Sequence, residues 1–259
     1  VRVPIRLGEE SFTIGEISSK NIKKIVKTIK AFKHIISVNE VKSSLAFATS
    51  ALREANNSKE VIQEVKKKTK LKIEIIDGRK EAKIISLNNI FESIDKNRTF
   101  IYVDVGGGST EIYIYKNGQH IIQSFQLGAV RGMFGKNEIS EWKRLKKWLK
   151  KESKTETLIG LGGNIRSFLK VYKADKMPTA DFISSAKELK QLSLSKKIQK
   201  YDLADDRADV IDEAIKIFIE IAKLLEVKNI KSTKWGVSDS IAVKTFHELY
   251  SNKIKFSRS

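Results

Sequence analysis

The sequence predicts an α/β fold, a sheet with helices packed on it. Two patterns carry that expectation. Strand-like runs follow one another closely at 99–103, 111–115 and 120–125, and beyond them helices alternate with short apolar strands, as in layered α/β domains. At 259 residues, 41% hydrophobic and 31% charged, the chain can form one large domain or two modest ones with their own cores.

The elements follow in order from local pattern. Ile22, Ile25, Val26, Ile29, Phe32 and Ile36 recur at three- and four-residue steps after the Ser18-Ser19 capping pair, which predicts a long amphipathic helix. A small-residue strand at 44–48 and a helix at 59–68 come next. The alternation of 71–76 reads as a strand ended by Asp77-Gly78, with a helix from Glu81 to 89 behind it. The break at 92–98 marks the expected domain boundary. In the second part, Asn117-Gly118 is a hairpin turn between the second and third strands. A buried strand is expected at 158–160, a helix opening at Gly162-Gly163 and running to Tyr172, and a loop leading into a helix at 177–187. One long helix is expected over 206–225, then a strand at 230–235 and a helix at 240–250. Trp142, Leu145, Trp148 and Leu149 form a helical apolar stripe, a core face or, if exposed, the candidate contact of a homodimer.

Composition narrows the chemistry. With no cysteine, neither disulfides nor thiolate metal sites are available, and three scattered histidines make no zinc site. No apolar run approaches a membrane span, and no signal peptide is visible, so a cytoplasmic location is expected. The opening Val1-Arg2-Val3-Pro4 reads as the interior of a longer chain. The formal charge of +19 has two readings: solvated lysine faces, or a positive field for a polyanion. Aromatic residues do not interleave with the basic runs as stacking platforms would, which argues against nucleic acid as a partner.

The most informative stretch is Asp104-Val105-Gly106-Gly107-Gly108-Ser109-Thr110-Glu111. A strand delivers Asp104, and three glycines let the backbone turn tightly and approach a ligand. Successive amides in such a turn form an anion site, and the acids at both ends suit Mg²⁺ beside a phosphate. A second glycine pair, Gly162-Gly163, opens a helix and offers its N-terminus to a phosphate, or serves only close helix–strand packing. Arg53 in Ala48-Thr49-Ser50-Ala51-Leu52-Arg53-Glu54-Ala55 is either a bidentate phosphate ligand or a surface charge behind a helix cap at Ser50.

Taken with Glu74-Ile75-Ile76-Asp77-Gly78-Arg79-Lys80-Glu81-Ala82, these motifs resemble the exopolyphosphatase and guanosine pentaphosphatase (Ppx/GppA) family. Blocks at 127–131, 160–166, 206–210 and 237–239 follow in the family's order, so the resemblance covers essentially the whole chain. It implies the actin-like/sugar-kinase (ribonuclease H-like) architecture, two domains with an interdomain cleft: 1–93 with 242–259, and 94–241. It further implies Glu81 as the catalytic carboxylate that deprotonates water, and Asp104 and Glu111 at an Mg²⁺ site. Gly106, Gly107, Gly108, Ser109, Gly162 and Gly163 would hold phosphate, with Arg53 neutralising its charge. The substrate so implied is the terminal phosphate of polyphosphate, of guanosine pentaphosphate, or of both. The family's N-terminal Asp-x-Gly-Ser-Asn-Ser turn has no counterpart here, Asn164 stands in place of Thr, and Ser240 to Lys244 replace the usual Gly-Leu-Arg-Glu-Gly. Two alternatives stay open on the sequence: an ATP-binding switch or kinase of the same superfamily, and a catalytically silent polyanion-binding protein.

Overall fold

Branched and aromatic side chains assemble the strands, while lysine-flanked apolar stripes assemble the helices around them. The computed structural model describes residues 1–86, 99–116, 118–152 and 155–250. The first part contains α1 (Leu7–Thr13), α2 (Ser19–Val38), β1 (Ala46–Ala48), α3 (Ser50–Glu54), α4 (Ser58–Thr69), β2 (Ile73–Ile75) and α5 (Gly78–Ser86). As expected, Ser18 caps α2, its side chain accepting from the Asn21 N–H. The buried face of α2, Ile22 and Ile25, shares a small core with Leu52 and with Val61 and Val65 of α4. β1 and β2 pair in parallel.

The second part begins with β3 (Phe100–Val105), β4 (Thr110–Lys116) and β5 (Gln119–Phe125), the expected meander. It continues through α6 (Ala129–Met133), α7 (Ile139–Leu149), β6 (Thr157–Leu161), α8 (Gly162–Val171), β7 (Lys176–Pro178) and α9 (Thr179–Lys190). α10 (Leu194–Tyr201), α11 (Asp205–Ala208), α12 (Ile211–Leu224), β8 (Asn229–Ser232) and α13 (Val237–Tyr250) complete it. The sheet order is β5-β4-β3-β6-β8-β7, with β3, β6 and β8 parallel to one another. Phe168, Phe182 and Phe218 from α8, α9 and α12 fill one side of this sheet. A tyrosine layer of Tyr102, Tyr113 and Tyr115 forms the other, where α5 packs on β4 and β5 and α13 packs on α5. With both faces covered, β3 and β4 read as near-continuous apolar runs.

Several expectations need correction. The helix over 206–225 is two, because Asp209 lies between α11 and α12, where it pairs with Arg6. The helix expected within 177–187 is α9, but what leads into it is an edge strand and not a loop; an edge position tolerates Pro178, which cannot donate to a ladder. Short α1 and α3 have no readable periodicity, and the Leu194, Ile198 and Tyr201 period of α10 went unread. Trp142 and Trp148 are partly buried against the core, Trp148 edge-on to Phe125 at 5.6 Å, which bears out the core-face reading of the stripe. Gly118 takes the positive φ of a hairpin turn (78°), while Asn117, the end of the helix expected to reach 89, and the boundary at 92–98 lie outside the described residues.

Candidate active site

The meander places two acids side by side. Asp104 on β3 and Glu111 on β4 are register partners, a like-charge juxtaposition that a sheet ordinarily avoids. Glu111 is 3% exposed; its Oε1 accepts from the Ser124 hydroxyl of β5 at 2.8 Å, and Ser109 also bonds it.

Glu81 reaches the same place from the helix layer. Asp77 fixes the start of α5, accepting from the Lys80 N–H on its side chain (2.7 Å) and from the Glu81 N–H on its carbonyl (2.9 Å). That helix start lies against β5 so closely that a Cβ on Gly78 would be 2.1 Å from Ser124 Oγ and 3.6 Å from Glu111 Oε1. Glu81 is 8% exposed, and its buried Oε2 has no hydrogen-bond partner. Arg53 Nη1 lies 3.8 Å from that oxygen while donating to the Ile76 carbonyl at 2.7 Å.

Burial raises all three carboxyl groups, and neighbouring acids add to it at Glu81 and Glu111. Burial, then the charge of Asp104, pushes Glu81 up to about 7, with Arg53 opposing. Burial pushes Asp104, which keeps some exposure to the cavity, up to about 6 against the pull of Arg166 and Arg207. Glu111 is held well above the carboxylate range by burial and by the other two acids, despite its serine bonds. Pairs of acids pushed apart from their usual ionisation mark sites of acid–base or metal chemistry.

Above these acids opens a cavity of ≈ 450 Å³, lined by Asp104, Gly106, Gly107, Gly108, Gly162 and Gly163, with Ser50 opposite and Arg207 at its side. The glycine triplet corrects one expectation, because none of the three has positive φ. What Gly108 supplies is close approach: a Cβ there would lie 2.2 Å from the Phe12 ring and 2.6 Å from Ser50 Oγ, across the junction with the first layer. The loop is tied from behind, with the Gly106 and Gly107 carbonyls accepting from Ala129 and Arg131 at 2.9 Å. No backbone carbonyl among the described residues takes the N–H of Gly107 or Gly108. Gly162 does need glycine for its backbone, with φ +85°, and a Cβ on it would be 2.8 Å from Asp104 Oδ1.

Arg53, Ser109, Glu111 and Glu81 do not line this cavity; Glu111 is the register partner of Asp104, which does, Ser109 and Glu81 interact with Glu111, and Arg53 backs Glu81. Sequence reasoning missed Arg207, whose guanidinium donates to Asn164 Oδ1 and lies against Gly163. Burial and the positive field of Arg2 lower its pKa, a cation in want of an anion. It occupies a four-residue helix with no period to read.

Among the described residues no three His, Cys, Asp or Glu side chains form a self-sufficient metal cage. The donor set nevertheless fits Mg²⁺, which takes one or two carboxylates and completes its shell with water and phosphate oxygen. The raised acids and the unpartnered Glu81 Oε2 are what a bound cation would relieve.

A family model described as the Ppx/GppA phosphatase family matches residues 2–249. The chain belongs to this family. The bifunctional 3-dehydroquinate synthase/phosphatase of Fusobacterium nucleatum is 32% identical over 241 residues, covering 80% of this chain and 36% of that protein. Exopolyphosphatase 1 of Mycobacterium tuberculosis is 30% identical over 112 residues, covering 43% of this chain and 32% of that protein. The chain thus spans about a third of the length of these curated relatives. A solved exopolyphosphatase from Cytophaga hutchinsonii superposes with a TM-score of 0.82 at 21% identity, over 93% of this chain and 87% of that one. The Aquifex aeolicus Ppx/GppA family member gives 0.73 at 24%, over 94% and 87%. The α/β fold expected from the motifs is therefore the one this chain shares with these solved Ppx/GppA-type proteins.

Proposed function

We propose that this protein is a phosphohydrolase that releases orthophosphate from the end of inorganic polyphosphate or from guanosine pentaphosphate, with domains 1–93 plus 242–259 and 94–241 closing on the substrate. The observation that carries this reading is the approach of Glu81, from the helix layer, to Asp104 and Glu111 at the base of a glycine-lined cavity. In the proposed reaction the terminal phosphoryl group rests against the amides of Gly106 to Ser109 and the start of α8 at Gly162-Gly163, with Arg207 and Arg53 balancing its charge. Glu81, ionised, takes a proton from a water in line with the anhydride bond. The water oxygen bonds to phosphorus, the bridging P–O bond breaks, and its electron pair leaves with the shortened chain. Asp104 and Glu111 would hold Mg²⁺, which when bound neutralises charge on the phosphoryl oxygens.

The exopolyphosphatases among its relatives and its family membership support the substrate class. The test is to follow free phosphate from polyphosphate and from guanosine pentaphosphate, with Mg²⁺ and with a chelator. Mg²⁺-dependent release from either is expected. Folded protein that releases phosphate from neither overturns the reading.

A further inference from the structure

The carboxyl ends of β3, β6 and β8 lie side by side in the sheet. Asp104 stands near the first, Gly162 follows the second, and Thr233-Lys234-Trp235 follow the third. Ligands of parallel α/β sheets gather outside these ends. Beside the third opens another groove, of ≈ 890 Å³, between α8 and the end of β8. Five cations line it, Arg166, Lys170, Lys173, Lys231 and Lys234, against the single acid Asp175 among its described residues. Among the described residues no ion pair involves Lys170, Lys173, Lys231 or Lys234.

Arg166 joins this groove to the candidate active site. Its Nε donates to the Gly162 carbonyl at 3.1 Å, its Nη1 to the Lys234 carbonyl at 2.8 Å, and its charge acts on Asp104. One guanidinium of the groove therefore bonds the backbone of Gly162, which lines the cavity, and links the two. α8, ten residues or about 15 Å long, sets the reach of this track. Its chemistry is that of flexible ammonium point charges, which suit a uniform string of anions and not the fixed edges of a base. Trp235, 39% exposed, is a lone aromatic, whereas single-stranded nucleic acid needs successive stacking faces.

We infer that this groove holds the trailing part of a linear polyphosphate chain whose end lies in the candidate active site, so that the enzyme prefers long inorganic chains. This rests on the proposed phosphohydrolase activity. The test compares wild type with K170Q/K173Q/K234Q, three exposed lysines outside the catalytic machinery, and with K143Q/K147Q/K150Q on α7 and its C-cap, which removes equal charge elsewhere. Binding of long-chain polyphosphate is measured in chelator, and KM for long chains and for tripolyphosphate in Mg²⁺. The groove variant should weaken long-chain binding about tenfold and flatten its log–log salt dependence by about 2, near 0.7 for each lost single-strand contact. Its tripolyphosphate KM should stay near wild type, and the α7 variant should retain long-chain binding. Equal losses in both variants, or no loss in either, overturn the groove. So does an RNA oligomer that binds as tightly as polyphosphate and loses as much affinity in the groove variant. Absent turnover with groove-dependent binding intact would sink the phosphohydrolase reading and leave the groove standing.

Discussion

Glu81 occupies the first turn of α5, where a carboxylate ordinarily gains from the helix dipole, yet its pKa moves the other way. Burial and the neighbouring Asp104 outweigh both that dipole and Arg53, leaving the group poised near neutrality, where a general base works best. Replacement by glutamine keeps the shape and removes the basicity. E81Q should therefore lower kcat by roughly 10²- to 10⁴-fold while circular dichroism and polyphosphate binding stay as in wild type. Because the base must be ionised, kcat/KM should rise with pH through about 7, a limb that vanishes in E81Q. D104N removes a negative neighbour, so the Glu81 midpoint should move to lower pH, readable by NMR titration of the glutamate carboxyls, and the Mg²⁺ requirement should weaken in the same variant. An unmoved midpoint would show that the two acids do not share one site.

At the scale of elements, α6 fastens the glycine loop and Arg131 fastens α6 to the first layer. Arg131 Nε donates to the Gly108 carbonyl at 2.9 Å, its guanidinium stacks over Phe12 at 4.3 Å, and it pairs with Glu54 of α3. Removing the arginine would strand Glu54, whose Oε1 already lacks a partner. R131M should cost roughly 2–4 kcal/mol in urea unfolding, toward the low side for a severed buried pair because Glu54 keeps some hydration. R131M/E54Q should recover part of that loss; a strictly additive double variant would deny the coupling. The strands, the glycine loops and the longer helices were legible because each has a period or a turn signal of its own. Arg131 and Arg207 were not, since each is a single cation on a very short helix whose partner lies far away in sequence.

At the scale of the whole molecule, three acids with raised pKa values link folding to protons. The folded chain keeps protons that the unfolded chain, with ordinary carboxylates near 4, has already lost. Stability from this source is complete below pH 4 and disappears as pH rises through about 6 to 7. In chelator, the gap in Tm between E81Q and wild type should widen in favour of the variant from pH 5 to pH 8. Added Mg²⁺ should raise wild-type Tm most at the alkaline end, where the acids are ionised. A gap that does not change with pH would mean the Glu81 carboxyl is solvated.

By itself, the sequence determined the layers, the meander, the glycine loops and the family, because periodicity, turn chemistry and ordered motifs are local properties of the chain. Tertiary structure alone decided that Asp104 and Glu111 oppose each other in register, that Glu81 descends on them from another layer, and that Arg166 ties Gly162 to the chain beyond β8. Those relations depend on strand register and helix docking, which place residues far apart in the chain within bonding distance and which no local pattern encodes.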